Sequence, residues 1–399
     1  MYVLVSWIRF ILLLLLALLW IPSSCHASEH SNDRPPSPTQ PTVTIATLRR
    51  VWNNDEADSV SSLLADLANL QHLQGHSRIV THAPSKGSDS SYTKSWTNDE
   101  WGYYQARSLR RYGRHLVSWT QSPTARAVLP TVGALMLWSG LVYQVVHHRF
   151  PTLLPWVKDA DFVIGLGSFT APISLLLALR TNRALNRLLE GRSMWGTVVR
   201  ASTTLAGLAA TYIQPKDANV ALLMGRYLAI LGWSLKGFLR NEEDTEVLRT
   251  VLPPDEAKWV ERSPGDHPTA IICRLRQLIA SQVKDLPLVA AQAMEDRLAE
   301  LEVAIGTCKR LLGSPIPPTY TRHTSRVLCL YLGMVPLALV GNSKAGLSAI
   351  LINVALLSYV FVGIDEIGVE IEHPFPLLPM HHLSKVTQDN VGNQFIMSS

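Results

Sequence analysis

Charged residues are scarce in this 399-residue chain: Asp, Glu, Lys and Arg together make up 17%, against 47% apolar residues. The apolar residues are gathered in blocks, which argues against a disordered or ordinary soluble chain and for a membrane protein. Cysteine is scarcer still. Cys25, Cys273, Cys308 and Cys329 stand far apart, which excludes a CxxC metal pair and argues against a disulfide framework. The chain lacks a GxSxG elbow and a GxxxxGK[ST] loop, so neither an activated serine nor a phosphate cradle is present and an enzyme is not expected. Glu366, Glu370, Glu372, His373, His381 and His382 crowd together. They match no HExxH spacing, and Pro374, Pro376 and Pro379 interrupt the helix such a metal site would use, so no metal or cofactor is expected.

The formal net charge is +5 and the isoelectric point about 9.0, which suits a surface facing anionic lipid or an anionic permeant. Nucleic acid is not an expected partner, because no zinc-ligand array, RNA-binding aromatic motif or heptad repeat accompanies the charge.

Residues 1–27 carry Arg9 ahead of FILLLLLALLWI and then small residues around Ser23 and Ala27, the pattern of a signal peptide; a retained anchor is the alternative. Residues 28–100 are rich in Ser, Thr, Pro, Asp and Asn and are expected to form a flexible leader or transit segment. Within it, Val60, Leu63, Leu64, Leu67 and Leu70 keep helical spacing and suggest one short helix. From Trp101 to Trp119, arginines alternate with tyrosine and tryptophan immediately before an apolar run, which suggests an interfacial helix on anionic headgroups.

Four internal stretches lack charge for close to the ~20 residues a bilayer requires: 127–146, 162–179, 327–343 and 345–364. The second and third are short enough to serve instead as buried core helices. The third and fourth are joined by Gly-Asn-Ser-Lys-Ala-Gly, which suits an antiparallel pair. Residues 181–326 are amphipathic, broken at Pro215, Pro253 and Pro287, and expected to form a helical soluble domain; the fold class is all-α. The arginines at the head of that domain place it on the side that is not translocated.

The most informative stretch is Ala171 to Gly196, where an apolar helix passes without a turn signal into a basic one. Ala171, Leu175 and Leu179 fall on one stripe. Around a common axis that stripe would form a narrow collar that gates by excluding water, although plain helix packing explains the same periodicity. Arg180, Arg183 and Arg187 follow at spacings of three and four, with Glu190 placed to pair with Arg187. In a pore vestibule they would concentrate anions; a snorkelling or salt-bridged structural face is the alternative.

The strings LLLALRTNRALNRLLEGRSMWGTVVR, SPIPPTYTRHTSRVLCLYLGMVPLAL and YVFVGIDEIGVEIEHPFPLLPMHHL, in this order and separation, resemble three hallmark regions of the bestrophin family. The pattern is most similar to that of the plant and algal voltage-dependent chloride channels. The resemblance implies a pentamer with one central pore, four spans per subunit and passive flow of chloride or another small anion. Pro172-Ile173-Ser174 matches the family's second-span motif, so the resemblance assigns the pore neck to Ala171, Leu175 and Leu179 and a second constriction to Val289. Family necks usually carry bulkier isoleucine or phenylalanine, which implies a wider collar here. Animal members bind calcium through an acidic cluster after an Asn-Pro-Phe motif. Here His373-Pro374-Phe375 is followed by no Asp or Glu through Leu383, so calcium activation is not expected.

The expectation is therefore an anion channel in a membrane, most similar to thylakoid channels of plastids, with anions, lipid and further copies of the chain as partners. A signal peptide ahead of a Ser/Thr-rich leader suits a plastid bounded by extra membranes, yet no aromatic residue follows the cleavage point, so plasma-membrane or endomembrane delivery stays open. A coupled secondary anion transporter and a non-conducting scaffold are the competing functions; the lack of an inverted repeat argues against the transporter.

Overall fold

A computed structural model describes residues 60–76, 96–105, 109–149, 160–342 and 346–398. The expected signal peptide, Cys25 and the start of the expected leader lie outside the described residues. Among those described there is no strand, and the all-α class stands.

The helices in chain order are α1 (Val60–His76), α2 (Asn98–Gln105), α3 (Leu109–Val117), α4 (Pro123–Gln144), α5 (Ala160–Ser168), α6 (Thr170–Leu208), α7 (Ala218–Arg240) and α8 (Thr245–Val251). They continue as α9 (Pro254–Glu261), α10 (His267–Gln282), α11 (Leu288–Gly313), α12 (Pro318–Asn342), α13 (Leu347–Glu372), α14 (Pro374–Leu377) and α15 (Met380–Ser398).

The four expected spans fall on α4, on α5 with the start of α6, on α12 and on α13. They share an apolar core in which Val142, Ile173, Leu177, Tyr331, Val335, Val354 and Phe361 meet. The second span is not one uninterrupted helix. Pro172 has no N–H to offer the Ser168 carbonyl, and the chain tightens into a turn at Phe169, whose N–H donates to Leu166 at 3.2 Å. Thr170 Oγ1 and the Tyr331 hydroxyl, 2.7 Å apart, fasten α6 to α12 just past that break.

A fifth helix, α7, is also long and apolar enough to cross a bilayer. Its apolar stretch is 83% buried, against 22%, 11% and 28% for α4, α6 and α13, so it is the centre of the helical domain. Its glycines bring α15 close. A Cβ on Gly225 would lie 2.6 Å from the Phe395 ring, and one on Gly232 would lie 3.1 Å from the Ser384 backbone. Asp217 caps the start of α7 by accepting from the Val220 N–H at 3.1 Å, and Asn241, in the left-handed region, ends it. Beside α7, the Tyr227 hydroxyl donates to Glu256 Oε2 at 2.6 Å and Arg274 grips the same carboxylate. Burial, then the Glu256 charge, push the Tyr227 phenol above its ordinary range.

The helix expected inside the leader exists as α1, and it is not a loose element. Leu63 and Leu67 are buried, and α1 packs against α7, α8 and α15. Its Asp66 pairs with Arg226 of α7 at 2.6 Å, and Ser62 Oγ accepts from the same guanidinium at 3.1 Å. Arg226 is 4% exposed, and the Val251 carbonyl, 2.7 Å away, is a further acceptor. The flexible-leader expectation is thus corrected over 60–76: the apolar stripe of α1 covers a cation that cannot stay buried without a carboxylate. Asp66→Ala is expected to destabilise the protein by about 2–3 kcal/mol, less than a fully buried pair because Asp66 keeps contact with water. Thermal unfolding of the detergent-purified variant measures it, with proteolysis within 60–76 rising in parallel.

Two histidines give the domain a pH dependence. His381 stacks edge-on against Trp233 with ring centroids 5.0 Å apart, and burial, then Lys236, Lys385 and Arg240, hold its pKa below the ordinary range; Glu242 opposes this. Burial and Arg187 do the same to His373. A histidine whose folded pKa is lowered leaves stability intact above the unfolded value of about 6.5 and removes it as the pH falls through that value. The melting temperature is therefore expected to drop between pH 7.5 and 5.5, and the double variant His373→Gln, His381→Gln to flatten that slope.

Candidate functional site

The expected site lies on α6, a helix of 39 residues and about 58 Å that runs from the apolar layer into the helical domain without a break. This is the continuous passage read from the sequence. One face of α6 is packed: Ile173, Leu177, Ala184, Trp195 and Val198 are buried, against α13 near the apolar layer and against α11 and α15 further along. The opposite face is open. Leu175 is 60% exposed and Leu179 46%, and Ala171 is exposed on the same stripe. Two leucines one turn apart, exposed on a helix whose other face is fully packed, require a partner or a special solvent environment.

The three arginines do not act alike. Arg180 is 4% exposed and turned inward, where Nη1 pairs with Asp365 of α13 and approaches Ser325 Oγ of α12 at 3.4 Å. This corrects its expected place in an open vestibule: Arg180 belongs to a salt-bridged structural face. Arg187 is also engaged, but by carbonyls. Its guanidinium donates to Leu311 O at 2.6 Å, Ser314 O at 2.7 Å and Glu372 O at 3.1 Å. Those acceptors lie at the ends of α11 and α13, where carbonyls have no partner within the helix and the dipole favours a cation. Glu190, expected to pair with Arg187, pairs instead with Arg310 of α11. Arg183 alone of the three stays exposed, its guanidinium 5.9 Å from the centre of the Tyr320 ring.

Val289 stands in the first turn of α11 beyond Pro287 and is 81% exposed, with Leu288 beside it equally open. Tyr320, which periodicity does not single out, donates its hydroxyl to the Leu176 carbonyl at 3.1 Å and so braces the collar segment from α12.

The basic aromatic segment carries the helices α2 and α3. Trp101, Tyr103, Tyr104, Tyr112 and Trp119 are exposed, and the Arg114 guanidinium lies 3.7 Å over the Tyr103 ring. Trp119 ties the segment to α13 through a 2.5 Å hydrogen bond from Nε1 to the Tyr359 hydroxyl. Two of the crowded residues near the end of α13 have partners within the chain: Glu372 accepts from the Ile316 N–H at 3.0 Å, and His373 sits edge-on to Phe375.

Comparison with known proteins agrees with this architecture. Voltage-dependent chloride channel 1, chloroplastic, of Arabidopsis thaliana is 27% identical over 305 residues, covering 74% of this chain and 72% of that protein. A voltage-dependent anion channel-forming protein of Synechocystis is 26% identical over 280 residues, covering 64% of this chain and 89% of that protein. Among solved structures, a bacterial bestrophin homologue from Klebsiella pneumoniae superposes with a TM-score of 0.60 at 24% identity, over 67% of this chain and 98% of that one. The family model described as Bacterial/Fungal Bestrophin protein matches residues 104–393. That match takes in the apolar helices, the whole of α6 and nearly all of the helical domain, and the chain belongs to the bestrophin family.

Proposed function

We propose that the chain forms an anion channel, a ring of five copies around one pore, that passes chloride or a similar small anion down its gradient. The observation that carries this reading is the exposed stripe of Ala171, Leu175 and Leu179, opposite the packed face of α6, in a family whose relatives carry anion-channel names. Facing a shared axis, the stripe is the neck, and its side chains contain no hydrogen-bonding atom. Water leaves such a constriction easily, and weakly hydrated anions cross it more readily than strongly hydrated ones. Val289, exposed at the start of α11, supplies the second constriction. Of the vestibule arginines, Arg183 keeps that role, because Arg180 and Arg187 are engaged within the subunit.

No catalytic step is part of this function. Nor is calcium: the segment after His373-Pro374-Phe375 offers no carboxylate through Leu383, and oxygen ligands are what that ion requires. The thylakoid membrane of a plastid is the proposed location, by likeness to the chloroplastic relatives.

Planar-bilayer recording of the purified protein under a chloride gradient tests the reading. Unitary currents reversing near the chloride equilibrium potential support a channel. A folded oligomer that is silent in bilayers but exchanges labelled anion between vesicle compartments would make it a coupled transporter, and one that does neither a scaffold.

A further inference from the structure

The stripe that carries the collar does not end at Leu179. At 100° per residue, Asn182 and Asn186 fall within the arc of about 80° spanned by Ala171, Leu175 and Leu179, one and two turns further toward the helical domain. Both are exposed, and among the described residues neither side-chain amide meets a partner in the chain. Asn182 also lines a groove of about 470 Å³ between α6 and α13. The same two turns contain the arginines that the subunit draws inward: Arg180 to Asp365, and Arg187 to the helix-end carbonyls. The residues left facing along the neck stripe are therefore neutral donors.

We propose that Asn182 and Asn186 are the specificity-determining residues of the pore, two rings of amide N–H donors that meet the anion as it leaves the collar. The inference rests on the neck reading given above. An anion crossing Leu175 and Leu179 has shed part of its hydration, and the loss is largest for a small, strongly hydrated ion such as chloride. Each asparagine amide carries two N–H donors, and donors placed one turn below the constriction replace the missing water. Being neutral, they do so without the deep Coulomb well that a ring of guanidinium groups would create, so the ion is held and released quickly. Arg183, at the margin of the stripe, raises the local anion concentration without ranking one anion over another.

The test compares permeability ratios from reversal potentials in bilayers for wild type, Asn182→Leu with Asn186→Leu, and Asn182→Asp. The leucine pair is expected to shift the iodide-to-chloride permeability ratio upward by roughly threefold to tenfold, since hydrogen bonds to a charged group are lost from the more strongly hydrated ion. The aspartate, nearly the same shape, is expected to abolish the preference for chloride over sodium. Arg183→Gln is expected to lower conductance in dilute salt and leave the permeability order unchanged. Size-exclusion elution matching wild type establishes assembly of each variant. If the asparagine variants keep wild-type ratios while the Leu175→Ala, Leu179→Ala variant changes the currents, the amide rings are refuted and the pore position stands. If none of these variants alters the currents, α6 does not line the pore and both readings fall.

Discussion

Asp365→Ala destabilises the protein by about 3–5 kcal/mol, and Arg180→Ala by less, because removing one member of a buried ion pair leaves the other charge uncompensated. The asymmetry follows from exposure: the Arg180 side chain is 5% exposed and that of Asp365 18%, so the guanidinium is the more poorly hydrated ion when left alone. Ser325 approaches both groups but is neutral, and it cannot replace the carboxylate. The pair also fixes the rotation of α6 about its axis. With Arg180 held toward α13, Leu175 and Leu179 are held toward the open side, so loss of Asp365 is expected to disorder the collar as well as lower the melting temperature. The double variant Arg180→Met, Asp365→Leu should recover most of the stability, since two apolar side chains of similar volume leave no buried charge. Thermal unfolding in detergent for the four proteins of that cycle measures the coupling.

Leu175→Ala with Leu179→Ala should act in the opposite way, changing conduction and sparing the fold. Each substitution removes three carbons from an exposed position, so thermal stability stays within about 0.5 kcal/mol of wild type. In the pore, the truncations widen the collar and lower the cost of keeping water in it. At ~0.8 kcal/mol per apolar carbon, even partial wetting raises the open fraction roughly tenfold in single-channel records. A fall in stability without a change in open fraction would mean that the stripe is a packing surface.

Much of this architecture is legible in the residues. The charge-poor stretches fall on the four apolar helices, although α12 begins nine residues before 327 and α13 ends eight residues after 364, and the missing turn signal between Leu179 and Arg180 gives the continuous α6. The interruption at Phe169 lies beyond hydropathy, which does not register that Pro172 withholds an N–H. The arginines show where sequence reasoning stops. Spacings of three and four place Arg180, Arg183 and Arg187 within one sector of a helix, but the partners that separate their roles are remote. Asp365 is 185 positions away from Arg180, and the acceptors for Arg187 are main-chain carbonyls, which no side-chain motif announces. Helical spacing announces α1 but not its packing, for a related reason. The Ser/Pro-rich segment around it reads as unable to order itself, and only the fold shows that Arg226, buried inside α7, draws on Asp66 as its carboxylate. That helix lies outside the 104–393 region matched by the family model, so this ion pair ties the matched region to a segment that precedes it.

The proposed pore depends on α6 turning Leu175 toward the path of the ion. Covalent labelling during recording tests it most directly: Leu175→Cys in a background where the exposed Cys273 and Cys329 are serine, treated with a negatively charged methanethiosulfonate while chloride current is measured. An anionic adduct at the collar both fills it and repels the permeant, so a progressive and complete loss of current, reversed by reductant, is expected. Full modification by mass spectrometry with an unchanged current would place Leu175 outside the pore and contradict it.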